Sequence, residues 1–130
     1  MYTNTHLLLA YRWGSKVDML ICLRLLKEFC DNNCEAFPDL KLSKEQWSEI
    51  NQLIAELMPS KKSTKMFQSE QLTLGDFYAT WIRCKMETEA IGTPFALAIV
   101  NAMRTREKLL LTSDAFVAAI CLDARYRLFF

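Results

Sequence analysis

The chain has 130 residues, 52% of them hydrophobic, with 16 basic and 15 acidic side chains and a formal net charge of +1. That length suits one domain, 1–130, and the apolar content is sufficient for a core. Near-neutral charge argues against a domain whose main task is gripping nucleic acid, and no run of eighteen or more apolar residues is present to cross a membrane as a helix.

Helical spacing of apolar residues recurs along the chain, and no alternating β-branched stretch flanked by turns competes with it. The first predicted helix starts near Ser15 and carries Val17, Met19, Leu20, Leu23, Leu26, Phe29 and Cys30. Ile21, Cys22 and Leu25 fill its other faces, so it is apolar nearly all round and is expected at the centre of the core. Asp31-Asn32-Asn33 weakens it, and Phe37-Pro38-Asp39 ends the connection. Ser43, with Gln46 three residues on, forms a capping-box pattern for a second helix through Trp47, Ile50, Ile54, Leu57 and Met58. Pro59 stops or kinks that helix, because it cannot donate to the ladder. A further turn or two is expected from Lys61 to Phe67, and a break from Ser69 to Leu72.

Thr73 caps a third helix with Asp76 in its first turn, where the helix dipole favours an acid. Phe77, Trp81 and Cys84 share a stripe with Ile91, Leu74, Tyr78 and Ile82 lie beside it, and Gly92 closes the helix. Thr93-Pro94 opens the fourth, a cap residue followed by proline at the first helical position. Phe95, Ala98, Ile99, Ala102, Met103 and Leu110 are its expected lining, and alanines 96, 98 and 102 let a neighbouring helix come close. Ser113 caps a last helix with Phe116, Val117, Ile120 and Cys121. The predicted fold is all-α, an antiparallel bundle or layer of about five helices.

Little in the chain suggests reaction chemistry. Cys22, Cys30, Cys34, Cys84 and Cys121 are odd in number and form no Cys-x-x-Cys pair, so they read as reduced thiols of the cytosol or nucleus. His6 is the only histidine, and Cys30 with Cys34 lacks two further ligands for zinc. Glu45, Glu49 and Glu56 read as a solvated helix face. No glycine-rich phosphate loop occurs. The expectation is no catalytic residue, no metal and no cofactor. Three small basic clusters, Lys61/Lys62/Lys65, Arg104/Arg106/Lys108 and Arg125/Arg127, read first as solvated helix ends.

Two segments carry a more specific signal: Tyr11-Arg12-Trp13-Gly14-Ser15, followed by Met19-Leu20, and Leu122-Asp123-Ala124-Arg125-Tyr126-Arg127 near the end. Between them come Leu42-Ser43-x-x-x-Trp47, Leu53, Leu57-Met58-Pro59, Thr64-Lys65 and Leu72-Thr73-Leu74. In this order they resemble the helical insertion region of hAT-family transposases, in which an Arg-Trp-Asn-Ser-like segment precedes a Leu-Asp-Pro-Arg-like one. Gly14 stands where that pattern has asparagine, and Ala124 where it has proline. In that family the catalytic acids lie in a separate ribonuclease H-like domain, no part of which is visible in this chain. The resemblance implies that Arg12 and Trp13 face DNA, with the tryptophan stacking on a flipped base. The competing expectation is that Trp13 packs at a helix start and Arg12 pairs with a carboxylate such as Asp123.

Taken together, these features lead to a non-catalytic interaction or oligomerisation module of a transposase-derived nuclear protein. A protein partner or a second copy is expected, with nucleic acid reached through other regions and no membrane. Phe77, Tyr78, Trp81, Leu128, Phe129 and Phe130 are the candidate interaction surface, being large apolar groups that water would otherwise meet. The alternative is the DNA-handling insertion domain of an active transposase.

Overall fold

The computed structural model describes the backbone of residues 5–126 and the side chains of residues 14–126. Within that range the protein is all-α: six α-helices, two single 3-10 turns and no strand among the described residues. It divides into two compact units, Met1–Lys61 and Lys62–Phe130, where the sequence led to one domain over 1–130.

The first unit holds α1 (Thr5–Leu25), α2 (Lys27–Asn33), a 3-10 turn at Pro38–Leu40 and most of α3 (Lys44–Phe67). The single long helix expected from Ser15 to Cys30 starts ten residues earlier and is interrupted once. At Leu26 the backbone opens to φ −87°, ψ 7°, and its N–H is shared between the carbonyls of Cys22 and Leu23, 3.1 Å from each. This helix is not the centre of a core. Val17 and Cys30 are buried, but Met19, Leu25, Leu26 and Phe29 are exposed. Among the described residues, Trp47, Ile54 and Pro59 of α3 supply the other buried apolar groups of the unit, and the Lys27 ammonium lies 5.8 Å from the centre of the Trp47 ring. An ion pair joins Lys61 to Asp18.

The Ser43 capping box forms as its sequence demands. Ser43 Oγ accepts from the Gln46 N–H at 3.2 Å, and Gln46 Oε1 accepts from the Ser43 N–H at 2.8 Å. Pro59 does not stop α3, which continues to Phe67. Glu56 departs from the solvated face expected of it. Its side chain is 1% exposed, and its carboxylate accepts a 3.0 Å hydrogen bond from Gln52 Nε2 one turn earlier.

The second unit is built on α4 (Leu74–Ile91), against which α5 (Pro94–Leu110) and α6 (Asp114–Leu122) both pack. Two- and three-residue connections make sequential helices neighbours. The residues at those connections are the capping residues read from the sequence. Gly92 ends α4 at φ 73°, a left-handed conformation that an L side chain adopts only with strain. Thr93 and Ser113 accept from the N–H groups of Ala96 and Phe116 at 3.2 and 3.4 Å.

The buried positions of α4 and α5 carry mainly small side chains. Thr80, Cys84 and Thr88 lie one turn apart on α4, and Ala96, Val100 and Met103 are buried on α5. Thr88 satisfies its buried hydroxyl by donating to the Cys84 carbonyl at 2.7 Å. The buried side of α5 is therefore turned from the stripe read in the sequence. Phe95, Ala98 and Ala102, expected inside, are exposed.

Candidate interaction site

The conspicuous Asp-x-Arg segment forms a polar latch across the start of α4. After α6 ends at Leu122, Asp123 leaves the helix with φ −74°, ψ 118°, and a 3-10 turn follows over Ala124–Tyr126. Arg125 donates to both oxygens of Asp123, from Nε at 2.9 and 3.2 Å and from NH2 at 2.6 Å, while NH1 reaches Asp76 Oδ1 at 2.6 Å. The other oxygen of Asp76 accepts from Thr73 Oγ1 at 2.7 Å, so one carboxylate caps α4 and receives the arginine. Tyr126 OH donates to the Gly75 carbonyl at 2.8 Å. Asp123 is thus held by Arg125 two residues away; the side chain of Arg12, expected to pair with a carboxylate such as Asp123, lies outside the described residues.

The latch explains a glycine. A Cβ on Gly75 would stand 1.9 Å from Asp123 Oδ2, 2.8 Å from Arg125 NH2 and 3.0 Å from Asp123 Cγ. The carboxylate is pinned by three arginine contacts and cannot simply rotate away. Gly75→Ala is therefore expected to cost about 1–3 kcal/mol, as overpacking does, measured by urea unfolding. A neutral outcome would mean that Asp123 does not lie over the helix.

Arg125 and the Thr73 cap hold the Asp76 carboxyl down at about 2, from an ordinary 3.8, and Arg125 holds Asp123 below the usual carboxylate range as well. A carboxyl whose folded value is depressed stabilises the fold above its unfolded value, here 3.8. That contribution disappears as pH falls through about 2. Between those limits the stabilisation drains away, while the folded carboxylate keeps its charge until about 2. Titrating the Asp76 side chain by NMR should give a midpoint near 2 in the parent and a clearly higher one in Arg125→Ala. Equal midpoints would remove the arginine from this role.

Phe77, Tyr78 and Trp81, expected at an interaction surface, are half-buried and packed on other rings. Phe77 lies 4.7 Å from Phe67 and 6.0 Å from Trp81 between ring centres. The edge of Phe116 meets both Phe77, at 6.3 Å, and Tyr78, at 5.8 Å. Tyr78 and Tyr126 are 6.0 Å apart, which joins the latch to this cluster. These aromatics chiefly hold α4 to its neighbours. The Trp81 ring N–H is buried and has no hydrogen-bond partner among the described residues. Arg12 and Trp13 fall within α1, but their side chains, like Leu128, Phe129 and Phe130 entirely, lie outside the described residues.

The apolar surface that does face water is elsewhere. In the first unit, Met19, Cys22, Leu26 and Phe29 recur at spacings of three and four and are all exposed, with Leu25, at 75% exposure, beside them. Beside the latch, Leu74, Ala119 and Leu122 line an open groove of about 390 Å³ with Thr73, Gly75, Asp123 and Arg125. The first of these surfaces has no signature in the sequence, because apolar residues on every face of the helix suggest burial. Among the described residues, no group of three or more histidine, cysteine or acidic side chains is placed to hold a metal ion, and none of the helices is long and apolar enough to cross a membrane.

No family model matches the chain, and no solved structure matches it. Its sequence is similar to the "Putative transcriptional regulator tpeD" of Talaromyces stipitatus, 32% identical over 73 residues. The match covers 54% of this chain and 9% of that protein.

Proposed function

We propose that this chain is a non-catalytic helical interaction module of a nuclear protein derived from a hAT transposase. The observation that carries the reading is the exposed stripe of α1 and α2, where Met19, Leu25, Leu26 and Phe29 stand in water at 52–75% exposure. Burying such side chains against a protein stabilises a complex by about 25 cal/mol for each Å² of apolar surface removed from water. Contiguous apolar surface of this kind marks association sites. Two further points support the reading. The Asp123–Arg125 segment, which carries the transposase resemblance, is engaged in an internal latch instead of presenting a free site. The fungal relative's name describes a regulator of transcription, which fits a nuclear setting.

The test is the solution mass of the 15.1 kDa chain by light scattering. The expected result is self-association that Leu25→Glu with Phe29→Glu abolishes, leaving a folded monomer. A monomeric parent that binds hairpin DNA in a salt-sensitive way, and loses that binding in Trp13→Ala, would overturn the reading in favour of DNA handling.

A further inference from the structure

The fifth helix has two stripes, and only one is used. Ala96, Val100, Met103 and Glu107 follow spacings of four, three and four and turn inward, the first three buried and the last bonded to groups of α4. Phe95, Ala98, Ala102, Thr105 and Leu109 follow spacings of three, four, three and four, and every one of them is exposed. This second series has the period of a coiled-coil seam and spans residues 95–109, about 21 Å at 1.5 Å per step. Its shape is that of a helix receptor. Ala98 and Ala102 admit a backbone closely at the centre, while Phe95 and Leu109, at 45% and 68% exposure, stand as large anchors at the two ends. Thr105 places no unmet donor in the seam, because its hydroxyl donates to the Asn101 carbonyl at 3.1 Å.

The charges beside the seam select the occupant. Arg104, Arg106 and Lys108 are exposed on α5, and its only acid, Glu107, faces inward toward Lys85 and Tyr78. Arg104 is engaged by Glu89 of α4, which leaves Arg106 and Lys108 without an ion pair among the described residues. Charges flanking a helical seam set its choice of partner. A second copy of α5 would bring base against base. A phosphate backbone would satisfy the bases but leave Phe95 and Leu109 in water.

Resting on the interaction-module reading, we propose that the outer face of α5 docks an amphipathic helix of another protein, one with apolar residues at seam spacing and acidic residues on its flanks. The partner lies along Phe95, Ala98, Ala102 and Leu109, with its carboxylates over Arg106 and Lys108. This is helix-on-helix recognition read through anchors three and four residues apart.

Two labelled synthetic helices test it against the full chain by fluorescence anisotropy. Both carry leucine at seam positions; one has glutamate on its flanks and the other lysine. The glutamate helix is expected to bind at least about tenfold more tightly than the lysine helix, a difference of about 1.4 kcal/mol, and to weaken as salt screens the flanking charges. Ala102→Glu should abolish binding, and Arg106→Glu should reduce preference for the glutamate helix about tenfold, with circular dichroism confirming that both variants keep their helices. Equal binding of the two helices, or undiminished binding by Ala102→Glu, overturns the proposal. So does a solution mass that Ala102→Glu alone lowers, which assigns the face to a second copy, or competition by duplex DNA that Ala102→Glu leaves intact, which assigns it to nucleic acid. Because the Leu25 and Phe29 substitutions lie in the other unit, the α1–α2 association can persist while this proposal fails, and the two failures are told apart.

Discussion

Phe116→Ala is expected to lower the stability of the second unit by about 3–5 kcal/mol, the range for truncating a buried phenylalanine. The ring is 6% exposed and is the only aromatic side chain of α6, edge-on to both Phe77 and Tyr78 of α4. Such edge contacts add about 0.5–1.5 kcal/mol beyond the area they bury. Since α6 leads directly into Asp123 and Arg125, loosening it should also release the latch. Near-UV circular dichroism should then lose its aromatic signal, and the thermal midpoint should fall by about 10 °C or more, given about 4–8 °C per kcal/mol for a unit of this size. Phe116→Leu keeps most of the volume and should cost much less. A loss below about 1 kcal/mol for Phe116→Ala would mean that the aromatic row is not the core of this unit.

The second large effect concerns the ionic link between α4 and α5. Lys85 pairs with Glu107, whose other oxygen accepts from Tyr78 OH at 3.2 Å, and the two charged side chains are only 18% and 12% exposed. Burial and then the neighbouring Glu107 charge push the Tyr78 phenol upward, so it remains a donor. Removing one member strands the other. Breaking a fully buried pair costs about 3–5 kcal/mol; with the remaining exposure taken into account, Glu107→Leu should cost about 2–3 kcal/mol. Pairing it with Lys85→Met should recover most of the loss, because two apolar groups of similar size leave no charge unsatisfied. The coupling in that double-mutant cycle should reach about 1–2 kcal/mol. Losses that simply add would show that the pair is solvated and contributes little.

Much of the fold was legible because the signals were local. Ser43 with Gln46, Thr73 with Asp76, Thr93-Pro94 and Ser113 all cap helices where the sequence places them, since each needs only its own side chain and an N–H three residues away. The acidic start of α4 was likewise legible, but the reason for its glycine was not. Gly75 is constrained by Asp123, forty-eight positions later, and nothing near it in the sequence announces that approach. Pro59 was legible in part. Its local rule allows a stop or a kink; the stop does not occur, and α3 runs on to Phe67, where the sequence places the continuing turns, with the proline buried in it.

Candidate surfaces were the least legible part. Phe77, Tyr78 and Trp81 have the composition of an exposed binding patch, but they lean on Phe67, Phe116 and Tyr126. Phe95, Ala98 and Ala102 have the spacing of a core stripe, and they face solvent. Apolar residues occur on both sides of α1 and α5, and periodicity assigns a residue to a face without saying which face is covered.

The amino-acid order by itself determined that this chain is helical and where most helices begin and end. Tertiary structure alone decided which stripes were buried, that Asp123 and Arg125 close over Gly75, and that α1 and α5 keep apolar faces in water. The physical reason is range. Capping and helical period act through neighbours within a turn, whereas burial depends on which distant helix arrives to exclude water.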